Sequence, residues 1–246
     1  MAEMQTVFPV YLPKRMDADD TEEEYDTGVA RKPGSNYNAN QARLAGIGGR
    51  MAVRIGHAVS DERGGKTGGI PGDQTGKEIR IDTWYARKDG WDYYLECKDA
   101  QMAERAARYM ERICAGNFGY SQEQKARWSG YRAIAAVCGF VEGACGDFDC
   151  SSLAIACYIL AGLKHPASGY TGSMRASLQK TGMFAAYTDP PRLVTSDYAR
   201  RGSLYLKEGA HVLMCLEDGV KWHIAGYQGR PGHITPKSQY TKIINQ

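Results

Sequence analysis

The chain has 246 residues, which suffices for one large domain or for one domain with an appendage. Apolar residues make up 43% of it and charged residues 24%. No apolar run approaches the roughly 20 residues of a membrane span, so a membrane-inserted, fibrous or fully disordered protein is excluded. The seven cysteines are odd in number and lack paired C-x-x-C spacing, which predicts neither a disulfide framework nor a zinc ribbon. The first residues lack the basic and apolar regions of a secretory signal, so we expect the chain to be made and kept in the cytoplasm.

Charge is unevenly distributed along the chain. The formal net charge is +3, but residues Met1–Asp26 hold eight acidic and two basic side chains. The remaining 220 residues therefore carry 29 basic against 20 acidic groups, an excess that suits an anionic partner such as a bacterial wall or a nucleic acid. The basic residues are scattered rather than clustered on one helix or ribbon, which disfavours a nucleic acid.

Residues 1–50 are predicted to form an extended or partly disordered N-terminal arm. They combine the acidic run Asp17–Asp26 with turn-forming residues at 31–40 and show little apolar periodicity. Two interpretations stay open for this arm. It is either a solvated tail or a docking arm, for a partner or for the body of the protein itself.

Residues 51–118 are predicted to be β-rich and to end in a helix. The strand-like runs are Met51–Ile55, Glu78–Tyr85 and Trp91–Leu95. A glycine-rich loop at Arg63–Gly76 follows the first run and lacks the spacing of a phosphate-binding loop. Asp99 can cap a helix with one apolar face that ends near Gly116. We interpret this segment as accessory or groove-lining.

Residues 119–246 are predicted to hold helices first and strands after them. Ser121 and Gln124 have capping-box spacing and open a helix that ends near Gly139. Two further helices are predicted at Cys150–Ala161 and Ser173–Thr181, and three strands at Ser203–Leu206, Ala210–Glu217 and Val220–Tyr227. This order predicts an α+β fold with helices packed on an antiparallel sheet.

Cys150 is the sharpest chemical feature of the sequence. It stands at the first turn of an apolar helix, where free backbone N–H groups and the helix dipole stabilise a thiolate. A nucleophilic cysteine is the functional interpretation of this placement. The alternative is a small cysteine that fills the core at a helix start.

Two histidines can complete a nucleophilic site around Cys150. His211 lies in an apolar strand-like run and is the candidate base, and His223 follows twelve residues later as a candidate orienter. The two share a sheet face only if the loop between them has an odd number of residues, so we predict a three- or five-residue loop or a bulge. The alternative for each is a hydrogen-bonded histidine in the core.

These features resemble the NlpC-type papain-like cysteine peptidases, a family of bacterial and phage cell-wall hydrolases. An Asp-Cys-Ser motif at a helix start (149–151), a His-Val pair on a strand (211–212) and the later His223 match its pattern. The chain is more similar still to phage and prophage peptidoglycan amidohydrolases, the endolysin group. The pieces that carry this resemblance are Gly72-Asp-Gln-Thr-Gly-Lys-Glu, Thr83-Trp-Tyr, Gly119-Tyr-Ser-Gln-Glu-Gln, Asp149-Cys-Ser-Ser-Leu, Ser196-Asp-Tyr-Ala-Arg-Arg-Gly and Leu206-Lys-Glu-Gly-Ala-His-Val.

The resemblance implies a papain-like catalytic core that cleaves an amide bond of the cell-wall peptide by a Cys-His-His mechanism. Cys150 would attack the carbonyl, His211 would transfer the proton and His223 would hold the imidazole. Asp149 and Ser151 would either bind substrate or cap the helix. Further substrate-binding candidates are Asp73, Gln74, Trp84 and Tyr85, of which the two aromatic residues are equally candidates for the core. No metal ion or other cofactor is expected, and residues 119–246 would form the catalytic core.

The expected partner is bacterial peptidoglycan, joined by virion proteins if the N-terminal arm docks to a particle. Neither nucleic acid nor membrane insertion is expected. The protein would stay in the host cytoplasm until holin-mediated release, or it would be associated with the virion. Two alternatives stay open: a non-catalytic virion or wall-binding component with a papain-like fold, and a zinc-dependent N-acetylmuramoyl-L-alanine amidase. The zinc ligands would come from His57, His165, His211, His223 and Cys150.

Overall fold

The computed structural model describes residues 53–164 and 169–220. The strands are β1 Arg54–Ala58, β2 Ile79–Thr83, β3 Tyr93–Cys97, β4 Asn117–Tyr120, β5 Cys145–Phe148, β6 Phe184–Tyr187, β7 Leu204–Lys207 and β8 His211–Cys215. The helices are α1 Ala100–Ala115, α2 Ser129–Ala136, α3 Cys150–Leu160, α4 Thr171–Lys180 and α5 Pro190–Val194.

Six of the strands form one antiparallel sheet in the order β2-β1-β8-β7-β3-β6. Strand β1 therefore lies between its sequence neighbour β2 and the distant β8. Strands β4 and β5 form a separate parallel pair. This architecture confirms the predicted α+β class with helices packed on an antiparallel sheet. The papain-like form of the core stays a prediction, as does the division between residues 51–118 and 119–246; the sheet takes strands from both segments.

The two faces of the six-stranded sheet bury different kinds of side chain. Helices α1 and α3 pack on one face, against aliphatic residues such as Val212 and Met214. The opposite face carries an aromatic cluster, defined by Val53, Ile55, Trp91, Tyr94, Ala199, Tyr205, Leu213 and Cys215. Because successive side chains of a strand point to opposite faces, His57 and His211 emerge on the side of the aromatic cluster.

The sequence predicts α1 and α3 well because both start at a strong cap. The Asp99 carboxylate accepts the N–H groups of Gln101 and Met102 at 2.9 and 3.0 Å, and α1 ends at Gly116 as predicted. Helix α3 starts at Cys150, where Asp149 and Ser152 form a capping box. Every residue of α3 from Cys150 to Tyr158 is buried.

Two local predictions fail between α1 and α3. The helix predicted to open at Ser121 is wrong in its N-terminal half, because α2 begins only at Ser129 and residues 124–128 form turns. The Ser121 hydroxyl accepts the N–H of Glu123 at 3.2 Å, without a helix behind it. Strands β4 and β5 are not predicted, because the four residues of each include glycine and a short polar side chain and give no alternating pattern.

Some predictions fall outside the described residues. These are the N-terminal arm at residues 1–50 and the predicted strand Val220–Tyr227 beyond its first residue, which takes His223 with it. Within residues 53–164 and 169–220, no helix is long and apolar enough to cross a bilayer. All seven cysteines are free thiols.

Candidate active site

The Cys150 thiol lies at the start of α3 against the backbone of β8. Only 5% of the residue is exposed. Burial raises the pKa of its thiol, and hydrogen bonding from the backbone N–H groups of Val212 in β8 and Ser151 in α3 acts in the opposite direction. Val212 directly follows His211 in β8, but its side chain packs on the helix side of the sheet and the His211 side chain emerges on the other side.

The pairing of β1 with β8 stops short of Val212. The ladder between the two strands ends at the pair of Gly56 and Met214. Two residues further along, Val212 would face Ala58, but the two strands are no longer paired there. Helix α3, which begins at Cys150, packs against both strands.

A line of hydrogen bonds runs from His211 across β1 to β2. His57 Nδ1 lies 3.1 Å from His211 Nε2, and His57 Nε2 lies 3.1 Å from Asp82 Oδ2. Arg80 Nε donates to the same carboxylate oxygen at 2.6 Å. The three adjacent strands β8, β1 and β2 thus supply one line of hydrogen-bonded side chains. No local sequence signal indicates Asp82, and His57 is predicted from the sequence only as a candidate zinc ligand.

Aromatic rings flank the two imidazoles. The ring centroid of Tyr85 lies 6.1 Å from that of His57, and the centroid of Trp91 lies 6.2 Å from that of His211. The guanidinium of Arg87 lies 5.5 Å from the Trp91 centroid. The imidazole pair therefore borders a partly buried wall of aromatic surface with one cation on it.

Burial sets the protonation state of the two central groups. It raises the pKa of the Cys150 thiol to about 12, and the Asp149 charge adds to this shift. Burial lowers the pKa of His211 to about 3, and His57 and Arg87 act in the same direction. The free site near pH 7 therefore holds a neutral thiol and a neutral imidazole. The expectation of a dipole-stabilised thiolate is wrong for this arrangement, because desolvation outweighs the helix N-terminus.

Asp149 and Ser151 belong to a buried polar cluster at the start of α3. The Asp149 carboxylate accepts the N–H of Ser152 at 2.6 Å and forms a salt bridge with Arg127 at 3.0 Å. The Ser151 hydroxyl accepts Arg127 Nη2 at 2.8 Å. Asp149 is thus a helix cap, one of the two roles left open by the sequence. Within the described part of the chain, Arg127 Nε has no hydrogen-bond partner.

The other predicted substrate contacts are divided between the glycine-rich loop and the sheet. Asp73 and Gln74 direct their side chains to the backbone of the loop itself. Trp84 stacks edge-to-face on Tyr205, with ring centroids 5.4 Å apart, and packs on the aromatic cluster. Tyr85 is half-buried and is brought to the imidazole pair.

Two histidines that the sequence analysis considers, His165 and His223, lie outside the described residues. The loop predicted between His211 and His223 lies partly outside them as well. In residues 53–164 and 169–220, no three histidine, cysteine, aspartate or glutamate side chains are arranged as a metal site.

A family model described as an endolysin-like domain matches residues 55–222, which are 168 of the 246 residues. The chain belongs to the endolysin-like domain family. The matched region contains the whole described site, including His57, Asp82, Cys150 and His211. No curated protein and no solved structure matches the chain.

Membership of the endolysin-like domain family indicates a phage lysin-type function with peptidoglycan as the implied substrate. The predicted resemblance to phage endolysins is therefore confirmed at the level of the family. The NlpC-type and papain-like assignments, the cysteine mechanism and the virion partners stay predictions.

Proposed function

We propose that this endolysin-like domain is a cysteine-dependent hydrolase that cleaves an amide bond of the peptidoglycan peptide, with Cys150 as nucleophile and His211 as base. The observation that supports it best is the position of Cys150 at the start of α3, where the backbone N–H of Val212, the residue after His211, acts on the thiol. The family match supports the choice of substrate. A cysteine at a helix start that can pass its proton to a neutral imidazole is suited to nucleophilic catalysis.

The reaction would proceed in two halves. His211 takes the proton of Cys150 as the sulfur attacks the carbonyl carbon, and the amide C–N bond then breaks while the imidazolium gives its proton to the leaving amine. The product of this half is a thioester on Cys150. Water attacks the thioester with His211 accepting one of its protons, the C–S bond breaks, and the thiolate recovers the proton. The net change is the addition of one water across the amide.

The burial of both groups favours general-base catalysis over a preformed ion pair. A thiol with a pKa of about 12 and an imidazole with a pKa of about 3 do not exchange a proton before substrate binds. Charge would separate only while the carbonyl is attacked, when the oxyanion forms. The N–H of Cys150, at the start of α3, is the proposed donor to that oxyanion.

The finer assignments from the sequence belong to the same proposal. The catalytic core would be NlpC-type and papain-like, and the protein would reach the wall after holin-mediated release or from a virion. Tyr85 would contact the substrate, as would Trp84, Asp73 and Gln74, and Asp149 and Ser151 would hold the helix start in place. The role of His223 as the third catalytic residue stays a prediction.

Mass spectrometry of muropeptides released from purified sacculi tests the proposal. We expect the parent and the control Cys138→Ala, which removes an exposed thiol, to release the same new termini. Cys150→Ala should release none, because no other group can form the thioester. Lysis by the parent should be unaffected by a chelator and should be lost after prolonged alkylation with iodoacetamide at alkaline pH. Release by Cys150→Ala at the parent rate would refute the proposal.

The burial of Cys150 favours one second candidate, a non-catalytic virion or wall-binding component. A cysteine that is 5% exposed with a pKa of about 12 also has the properties of a core residue. The same experiment separates the two candidates. A parent protein that binds sacculi and releases no muropeptide would support the second one.

A further inference from the structure

We propose that His57, held by Asp82, is the positioning residue of this site and leaves Nδ1 of His211 free to act as the base. The inference rests on the proposed function. It assigns the orienting role to a residue of β1 and not to the segment that follows β8. Its basis is the pair of 3.1 Å contacts that link His211 Nε2 to His57 Nδ1 and His57 Nε2 to Asp82 Oδ2.

The Asp82 carboxylate, at one end of this line of hydrogen bonds, determines which nitrogen of each imidazole carries a hydrogen. Partial burial raises the pKa of Asp82, but hydrogen bonds from Arg80 and His57 outweigh it and leave the pKa below its ordinary value. An ionised carboxylate only accepts hydrogen bonds, so His57 Nε2 carries a hydrogen. In a neutral His57, Nδ1 then has a lone pair and accepts Nε2–H of His211. The remaining nitrogen of His211, Nδ1, is therefore unprotonated.

Burial keeps His57 neutral. Its side chain is 4% exposed, and burial lowers its pKa below 6.5 by more than the Asp82 hydrogen bond raises it. The charge of Arg80 acts in the same direction as burial. A doubly protonated His57 would donate Nδ1–H to His211 Nε2. That would move the His211 hydrogen to Nδ1, where it would block proton transfer from the thiol.

The same line of hydrogen bonds would stabilise the His211 imidazolium that forms during the reaction. His57 Nδ1 accepts the Nε2–H of the charged His211, and the Asp82 carboxylate polarises His57 without taking a proton. A single N–H at Nε2 needs one such acceptor. With His57 in this position, no residue from the segment after β8 is required there.

Nitrogen-15 NMR of labelled histidines tests this hydrogen arrangement without any substrate. We expect His57 and His211 near pH 7 to be neutral, each protonated at Nε2 and unprotonated at Nδ1. Resonances would be assigned with His57→Asn and His211→Gln. In His57→Ala, the His211 resonances should shift toward a mixture of tautomers, because the acceptor is lost. A parent His211 protonated at Nδ1 would overturn the inference.

Steady-state kinetics on muropeptides test the positioning role. His57→Ala should lower kcat by about a hundredfold to ten-thousandfold with KM unchanged, because a misoriented base affects the reaction and not substrate binding. His57→Asn should recover much of this loss, since its Oδ1 replaces Nδ1 as the acceptor. Asp82→Asn should fall between the two. Ile81→Val is the matched control on β2, because Ile81 faces the helix side of the sheet; it should keep the parent kcat.

The outcomes separate this inference from the proposed function. Turnover in the parent together with parent kcat in His57→Ala overturns the inference alone. Tautomers as predicted, with no turnover in the parent, overturn the proposed function. If the parent binds one zinc ion per chain and both His57→Ala and His57→Asn lose it, the two imidazoles are metal ligands and the inference is overturned. If His57→Ala fails to fold by circular dichroism, His57→Asn and Asp82→Asn decide.

Discussion

At the scale of the residue, the site is defined by the competition between burial and helix dipole at Cys150. A helix N-terminus stabilises a nearby negative charge by about 0.3–2 kcal/mol. Full burial shifts a pKa by up to about 3–5 units, several kcal/mol in the opposite direction. Burial therefore dominates and raises the pKa of the thiol to about 12. The position of a cysteine at a helix start predicts where a nucleophile lies and does not by itself predict its ionisation.

Alkylation with iodoacetamide should distinguish the buried Cys150 from the exposed cysteines. Cys138 and Cys145 are exposed, and we expect them to react first at pH 7–8. Cys150 should react slowly, with a rate that rises about tenfold per pH unit until its pKa of about 12 is approached, because the thiolate is the reactive form. Peptide mapping over a pH series measures these rates. A Cys150 that reacts fastest at pH 7 would contradict the neutral thiol.

At the scale of the element, α3 is anchored by a cap that is also half of a buried ion pair. Asp149 accepts the Ser152 N–H and pairs with Arg127, whose side chain is 9% exposed. Removing a carboxylate from such a pair leaves an uncompensated buried charge. The start of α3, and with it the Cys150 sulfur, therefore depends on a contact with the turn that precedes α2.

We expect Asp149→Ala to lower the free energy of unfolding by about 3–5 kcal/mol, because it leaves the buried Arg127 guanidinium without its charged partner and removes the helix cap. Asp149→Asn should cost less, since its amide oxygen still caps the helix. Asp189→Ala is the matched control: Asp189 precedes α5 and pairs with Arg192 on the surface, where an ion pair contributes up to about 1 kcal/mol. Urea denaturation measures all three. Equal costs for Asp149→Ala and Asp189→Ala would contradict the buried pair.

Local sequence signals predict some elements and not others, for physical reasons. The Asp99 cap and the apolar face behind it suffice for α1, and the apolar run after Asp149 suffices for α3. The helix predicted from Ser121 starts too early because Arg127, in the preceding turn, makes a tertiary contact that local spacing does not reveal. The first strand is predicted to end at Ile55. That boundary leaves His57 outside the predicted strand, although β1 continues to Ala58 and includes it.

At the scale of the whole molecule, the site exists because the sheet joins distant parts of the chain. His57 and His211 are 154 positions apart, and only the order β2-β1-β8 makes them neighbours. Local patterns predict Cys150 and His211 separately, since each has its own helix or strand signal. The third partner follows from strand order, which the sequence alone does not give. The nearest downstream histidine, His223, is therefore the natural sequence prediction, while the fold places one from β1 at the imidazole.

Trapping the covalent intermediate is the most direct test of a Cys150 nucleophile served by His211. Parent protein would be mixed with soluble muropeptides, quenched in acid during turnover, digested and analysed by mass spectrometry. We predict that the peptide containing Cys150 carries the acyl part of the substrate as a thioester that hydroxylamine removes, and that His211→Gln forms far less of it. Turnover with the acyl group on another residue, or with no covalent adduct and full activity in Cys150→Ala, would contradict the account.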